Sequence, residues 1–294
     1  MRTGIGYGTG IALVLAAGVL WSFMGLAIRL IPAAGTWQVV LWRSVGMVPV
    51  LAAVIALRSG GRSAAALRGA GAAGVLGGAG LIAAFLGAIY AIQTTGVANA
   101  VFLYSASPLF SALLGRLVLG ERVRPATWGA IALAGVGIGV MVQDGLARGD
   151  VLGDAAALAS ALGFAGFTVA LRWGRVGDMY PAVLLGGLFT IALAGAAILA
   201  AGGTILLPPR DAAIAMGMGA VLLAIGMVIY TIGSRVVPAG ELALFSMTEV
   251  LLGPVWVWLF LGETASPAAL TGGAILLTAI AGNAVTGARA RAVT

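Results

Sequence analysis

Two charged residues lie inside long apolar stretches, where an ionic side chain is costly. Glu249 lies about nine residues into a run that ends at Leu261, and Arg43 follows Trp42 in an earlier run. A carboxylate in such surroundings can carry a proton or bind an ammonium group, and a guanidinium can bind a carboxylate. Structural roles also remain open, because Glu249 could hydrogen-bond a neighbouring helix and Arg43 could extend to headgroups beside Trp37.

Polar and aromatic residues surround Glu249 and recur in an earlier run at the corresponding depth. The rings of such residues can pack on an apolar ligand while their hydroxyl groups orient it. A proline within such a run also leaves a backbone carbonyl without its helical partner. We therefore expect a central cavity lined by some of the following residues: Trp21, Ser22, Phe85, Tyr90, Tyr104, Ser105, Ser107, Pro108, Tyr230, Phe245, Ser246, Thr248 and Glu249.

The composition indicates that lipid is the main solvent of this chain. Hydrophobic residues make up 61% of the sequence and charged residues 9%, more apolar surface than one soluble core of this length can bury. The chain has no cysteine and no histidine, so we expect no disulfide, no metal site and no cofactor. The net charge of +7 is typical of basic loops that orient a membrane protein, and we expect no nucleic-acid partner.

Ten apolar segments follow one another along the chain with short polar connections. Most contain enough residues to cross a hydrocarbon core of about 30 Å as a helix. Alternating strands are not indicated, because the segments are apolar on all sides. The sequence therefore predicts an all-α membrane protein with helices near 9–29, 37–57, 70–91, 97–119, 126–142, 151–171, 180–201, 212–233, 240–261 and 268–286.

The arginines predict the orientation of these segments. Alternate connections carry nearly all of them, and positive charge is enriched on the cytoplasmic side of membrane proteins. The opposite connections hold Arg148 and Arg210, with Arg29 at a helix end. We therefore expect both termini to be cytoplasmic. The basic set comprises Arg2, Arg58, Arg62, Arg68, Arg116, Arg122, Arg124, Arg172, Arg175, Arg235, Arg289 and Arg291.

An internal repeat divides the chain into residues 1–145 and residues 146–294. The stretch 98–121 aligns with 240–263, and both end in Leu-Gly-Glu, at Glu121 and Glu263. Prolines follow at equivalent positions, and Trp21 to Arg29 resembles Phe164 to Arg172 in spacing. Five segments per repeat give the second repeat the opposite direction across the membrane, an architecture of secondary transporters. We expect the two glutamates to fix turns beside helix N-termini rather than to take part in chemistry.

The Leu-Gly-Glu motif that closes the fourth and ninth segments, followed each time by a proline-led segment, resembles the drug/metabolite transporter superfamily. Within it the chain resembles the EamA-type transporters, which carry two tandem five-helix domains, and most of all the YddG-type aromatic amino-acid exporters of bacterial inner membranes. One feature departs from the family pattern. Second-half copies often place a proline directly after the mid-helix glutamate, whereas here Val250 follows Glu249 and the proline is Pro254.

The resemblance implies a secondary exporter of small amphipathic metabolites, with neutral or aromatic amino acids as the expected substrates. Transport by alternating access would use the central cavity, with Glu249 as a coupling or ammonium site and Arg43 as a carboxylate contact. A multidrug or quaternary-ammonium pump of the same superfamily is the alternative. An intramembrane lipid or prenyl-phosphate enzyme and a channel are disfavoured, since the chain lacks a cluster of catalytic residues and a filter-like loop. The expected partners are a small-molecule substrate and the lipid bilayer; the oligomeric state is left open.

Overall fold

The computed structural model describes residues 5–292, and within that range it describes all side chains except those of 239, 240, 243 and 288–292. Arg2 and the side chains of Arg289 and Arg291, which contribute to the predicted orientation, lie outside the described residues. In the described range every regular element is a helix, and ten helical segments are long and apolar enough to cross a membrane. The prediction of an all-α membrane protein is confirmed.

The ten spans alternate in direction, and a short surface helix, Ser63–Gly69, connects spans 2 and 3. We refer to the end of the bundle that contains Arg29 as the predicted outer end and to the opposite end as the predicted inner end. Spans 1 to 10 are Tyr7–Arg29, Thr36–Arg58, Gly71–Thr94, Val97–Leu119, Pro125–Arg148, Val151–Trp173, Tyr180–Ala200, Pro209–Gly233, Ala239–Leu261 and Pro267–Ala292.

Three spans are irregular in their interior. Span 1 is interrupted at Phe23, between the helices Tyr7–Ser22 and Met24–Arg29. Span 4 is interrupted before Pro108, because a proline has no N–H for the preceding helical turn. Span 8 contains a π-helical segment, Met218–Ile225. Span 9 is continuous although it contains Pro254, so the helix break of span 4 is not repeated there.

The two repeats interleave instead of forming separate lobes. Span 3 packs along span 6, span 1 packs along spans 8 and 9, and spans 5 and 10 pack together. Glycines permit these close approaches. A Cβ at Gly80 would lie 2.8 Å from the Gly163 carbonyl oxygen, and one at Gly233 would lie 2.6 Å from the Gly10 carbonyl oxygen. Small residues of this kind are typical of helix packing in membranes.

The Leu-Gly-Glu motifs end spans 4 and 9 with the same backbone geometry. Gly120 and Gly262 both adopt φ 69°, in the left-handed region that glycine tolerates best. The N–H of Glu121 bonds to the Gly115 carbonyl, and the N–H of Glu263 bonds to the Val257 carbonyl. The N–H groups of Gly120 and Gly262 bond to the carbonyls of Arg116 and Trp258, so both helices end in a left-handed glycine cap, as the sequence predicts.

Candidate functional site

An ion pair at the predicted outer end joins the two repeats. Arg29 ends span 1, and its Nε lies 2.8 Å from a carboxylate oxygen of Glu263, which follows span 9. Arg29 Nη2 also donates to the Thr95 carbonyl at 2.7 Å, while Glu263 accepts from the Val97 N–H at 2.7 Å. Glu263 therefore caps the N-terminus of span 4, a helix of the other repeat.

The predicted inner end contains the equivalent ion pair. Arg172, near the end of span 6, lies 2.8 Å from a carboxylate oxygen of Glu121, which follows span 4. Arg172 Nη2 also donates to the Ser111 carbonyl at 2.9 Å. The two side chains of this pair are 40% and 39% exposed, against 25% for each member of the outer pair. The inner pair is therefore the more accessible of the two.

These pairs correct the prediction that Glu121 and Glu263 merely fix turns beside the helix that follows them. Their backbone does end a helix, but their carboxylates bind arginines of the other repeat. The spacing before Arg29 resembles that before Arg172 in the sequence, but this similarity alone does not pair the arginines with the glutamates. The alignment of the repeats does contain a signal, because it places Arg29 opposite Arg172 and Glu121 opposite Glu263.

Arg43, in span 2, lies in the packed interior of the bundle and does not extend to the headgroups. Its residue is 4% exposed, and its guanidinium carbon lies 4.2 Å from the ring centroid of Phe85. Its Nε and Nη2 are buried and have no hydrogen-bond partner among the described residues. An interior guanidinium that lacks a full set of acceptors is costly, so this environment favours an anionic ligand.

Four of the predicted cavity residues come together where span 1 meets spans 8 and 9. The rings of Trp21 and Tyr230 lie 5.3 Å apart, and the Tyr230 hydroxyl lies 3.5 Å from Ser246 Oγ. Trp21 Nε1 is buried and has no partner in the described part of the chain. Ser22, the fourth, accepts a hydrogen bond from the indole of Trp256 at 2.8 Å.

Glu249 lies in the middle of span 9, at the same crossing with span 1. A Cβ at Gly18 would lie 3.2 Å from Thr248 Cβ and 3.6 Å from both the Glu249 amide nitrogen and the Phe245 carbonyl oxygen. Glu249 is half-buried, and its carboxylate has no ion pair and no hydrogen bond with the side chains that the structure describes. The structure therefore leaves this carboxylate available to a ligand.

Most of the other predicted residues lie apart from this crossing. Tyr90 lines an apolar cavity of about 570 Å³ together with Trp37 and Ala156. Ser105 donates to the Phe102 carbonyl of its own span, and Ser107 and Pro108 begin the second helix of span 4. Tyr104 is half-buried at the same break, where it packs against the hydrophobic core and lies within range of the charge of Glu249. The predicted lining is thus divided between the span 1 crossing, the break in span 4 that faces Glu249, the surroundings of Arg43 and the cavity beside Tyr90.

The π-helical segment of span 8 is a feature that sequence analysis missed. Its first turn packs on Arg43, and Gly226, which directly follows it, packs on Trp21. A Cβ at Gly219 would lie 1.8 Å from the Arg43 carbonyl oxygen, and one at Gly226 would lie 2.5 Å from Trp21 Nε1. Segments of this kind are frequent at functional sites. The glycine spacing in span 8 was a signal for close approach but not for the π geometry.

Comparison with known proteins gives a consistent classification. The model of the EamA-like transporter family matches residues 8–143 and 151–285. An uncharacterized transporter of Vibrio cholerae serotype O1 is 40% identical over 78 residues, which are 26% of this chain and 25% of that protein. A crystal structure of a protein aligns with a TM-score of 0.67 at 22% identity, over 97% of this chain and 99% of that chain. The structural likeness supports the fold.

Proposed function

Since the chain belongs to the EamA-like transporter family and is a multi-pass membrane protein, we propose that it is a secondary exporter of neutral or aromatic amino acids that works by alternating access. The observation that carries this proposal is the pair of equivalent ion pairs, Arg29–Glu263 and Arg172–Glu121. Each joins the two repeats, and the two lie at opposite ends of the bundle. Inverted repeats with such contacts can close either end by the same local chemistry.

The surroundings of the central residues support a zwitterionic, partly aromatic substrate. Arg43 offers unpaired N–H groups to a carboxylate, and Glu249 offers an unpaired carboxylate to an ammonium group or a proton. Trp21 and Tyr230 provide ring surface beside Ser246, one helical turn before Glu249, on which an apolar side chain can pack. The arginine distribution of the sequence supports cytoplasmic termini, and the resemblance to exporters of bacterial inner membranes supports that membrane as the location.

The multidrug alternative rests on the same carboxylate. A lipophilic cation needs Glu249 and the neighbouring rings but has no use for the buried guanidinium of Arg43. A requirement for Arg43 in transport would therefore distinguish an amino-acid substrate from a lipophilic cation.

The test is counterflow into liposomes that contain the purified protein and a saturating internal concentration of unlabelled phenylalanine, tryptophan or methionine. We expect uptake of the labelled amino acid above the level of protein-free liposomes. Absence of counterflow for the whole panel, with uptake of tetraphenylphosphonium, would overturn the amino-acid assignment and support the multidrug alternative. A Glu249→Gln variant measured over a range of pH then tests coupling, since an unchanged profile removes Glu249 as a proton carrier.

A further inference from the structure

A buried carboxyl group at the predicted outer end belongs to none of the residues assigned above. Asp154 lies in the first turn of span 6, and Asn99 lies in the first turn of span 4; each is 2% exposed. The Asn99 amide donates a hydrogen bond to Asp154 Oδ1, so the contact joins the two repeats. Gly145 of span 5 provides the space, because a Cβ there would lie 1.9 Å from Asp154 Oδ2.

The carboxyl group of Asp154 is short of donors. Its Oδ2 and the Oδ1 of Asn99 are buried without a partner among the described residues. The charged neighbours of Asp154 are Arg148 and Asp144 on span 5 and Asp150 before span 6. Arg148 is bound to the other two, at 2.8 Å from Asp144 and 3.5 Å from Asp150. Asp154 therefore has a single hydrogen bond from a neutral side chain, a costly arrangement for a buried anion.

A small cavity reaches Asn99 of this pair, and Asp154 is not among the residues that line it. It has a volume of about 30 Å³ and is lined by Asn99, Arg148, Glu263 and Ser266, among others. That volume is sufficient for a water molecule, and the polar lining provides partners for it. A water molecule there would approach Asp154 from the side of Asn99, at the predicted outer end.

The same pair is connected to the outer ion pair. Asn99 Nδ2 also donates to Thr95 Oγ1 at 3.3 Å, and the Thr95 carbonyl accepts from Arg29 at 2.7 Å. Arg29 in turn binds Glu263, which lines the cavity. A change of charge at Asp154 therefore acts on the first turn of span 4, where the outer ion pair is also held.

We propose that Asp154 and Asn99 form a proton-binding site that is reached from the predicted outer end and acts on the outer ion pair. Its role in transport rests on the proposed function, whereas proton binding itself does not. A proton on Oδ2 removes the buried charge and supplies a donor. A hard metal cation is a poorer fit, since it requires about six oxygen ligands and the pair offers two free ones.

The repeat provides a matched control at the predicted inner end. Glu241 is the third residue of span 9, as Asn99 is of span 4, and it accepts a hydrogen bond from Tyr7 in the first turn of span 1. That contact is exposed to solvent. Glu241→Gln therefore removes a carboxyl from the equivalent place without affecting the buried one.

The first test needs no substrate, so it is independent of the transport proposal. Infrared difference spectra of the membrane-reconstituted protein are recorded as the pH is lowered, in the stretching region of protonated carboxyl groups. We expect a band that shifts on labelling with ¹³C-aspartate, disappears in the Asp154→Asn variant and persists in Glu241→Gln. The isotope shift assigns the band to aspartate without a substitution. A band unchanged in Asp154→Asn, or displaced by sodium ions at constant pH, would overturn the proposal.

The second test measures coupling in liposomes with phenylalanine. We expect Asp154→Asn to retain counterflow but to lose the additional accumulation that a pH gradient drives in the unmodified protein. Accumulation driven equally in both proteins would overturn the role of this site in transport. If the unmodified protein shows no counterflow, the proposed substrate is wrong, and the infrared result still decides whether Asp154 binds a proton.

Discussion

The guanidinium of Arg29 and the carboxylate of Glu263 lie 2.8 Å apart at one end of the bundle, 234 residues apart in sequence. The partners come from different repeats, and the equivalent residues of the repeat, Arg172 and Glu121, are in contact at the other end. In an alternating-access cycle one end of the bundle opens at a time, and the ion pair at that end must then break. The structure shows both formed.

Charge reversal tests the contribution of the outer pair. Arg29→Glu places two carboxylates together, and we expect slower phenylalanine exchange, with recovery in the double variant Arg29→Glu/Glu263→Arg. A partly exposed ion pair contributes about 1 kcal/mol at most, so the single change should shift the population of the closed outer end about fivefold. Equal exchange rates in the single and double variants would show that the pair has no part in the cycle.

Cross-linking tests whether both ends must open. The chain has no cysteine, so pairs introduced at 29 and 263, or at 121 and 172, are the sole thiols. We expect a short bifunctional thiol reagent that can be cleaved by reductant to stop counterflow at either end, and reductant to restore it. The corresponding single-cysteine variants are the controls. Continued counterflow in a fully cross-linked protein would contradict alternating access.

Replacement of Arg43 tests carboxylate recognition. Arg43→Gln keeps a polar side chain over Phe85 but removes the positive charge. We expect phenylalanine to lose its advantage over phenethylamine, which lacks the carboxylate, as a competitor of labelled tryptophan. A charged hydrogen bond contributes about 1.5–3 kcal/mol, so the loss should exceed tenfold. An unchanged ratio of the two inhibition constants would assign Arg43 a structural role.

The close packing of span 8 on span 2 predicts a sharp difference between two glycines. Gly219→Ala would place its Cβ 1.8 Å from the Arg43 carbonyl oxygen, whereas a Cβ at Gly217 meets nothing within 4 Å. We expect Gly219→Ala to be destabilised by about 1–3 kcal/mol, as overpacked cores are, and Gly217→Ala to match the unmodified protein. The midpoint of thermal unfolding in detergent measures the stability of both variants. Equal midpoints would contradict the close contact between Gly219 and the Arg43 carbonyl oxygen.

Much of the fold could be predicted from local properties. Apolar run length determined ten helices, and the Gly-Glu-to-Pro pattern located the caps at Gly120 and Gly262. Such features depend on neighbouring residues in the chain, and burial in lipid requires every backbone group to be bonded within its own helix. Span 5 was predicted to end at residue 142 but continues to Arg148, since polar residues in its last turn interrupt the apolar run without ending the helix.

The sequence alone determined the helices and the duplication that relates Glu121 to Glu263, and its arginines predict the orientation of the helices in the membrane. The tertiary structure decided which charges meet. Arg29 and Arg172 looked like helix-end residues, Arg43 could equally bind a carboxylate or extend to the headgroups, and Asp154 attracted no prediction. Partner choice depends on which helices pack together across the interleaved repeats, and a long-range contact of this kind leaves no local pattern in the chain. That is the reason why only the folded bundle shows ion pairs at both ends and a buried carboxyl beside one of them.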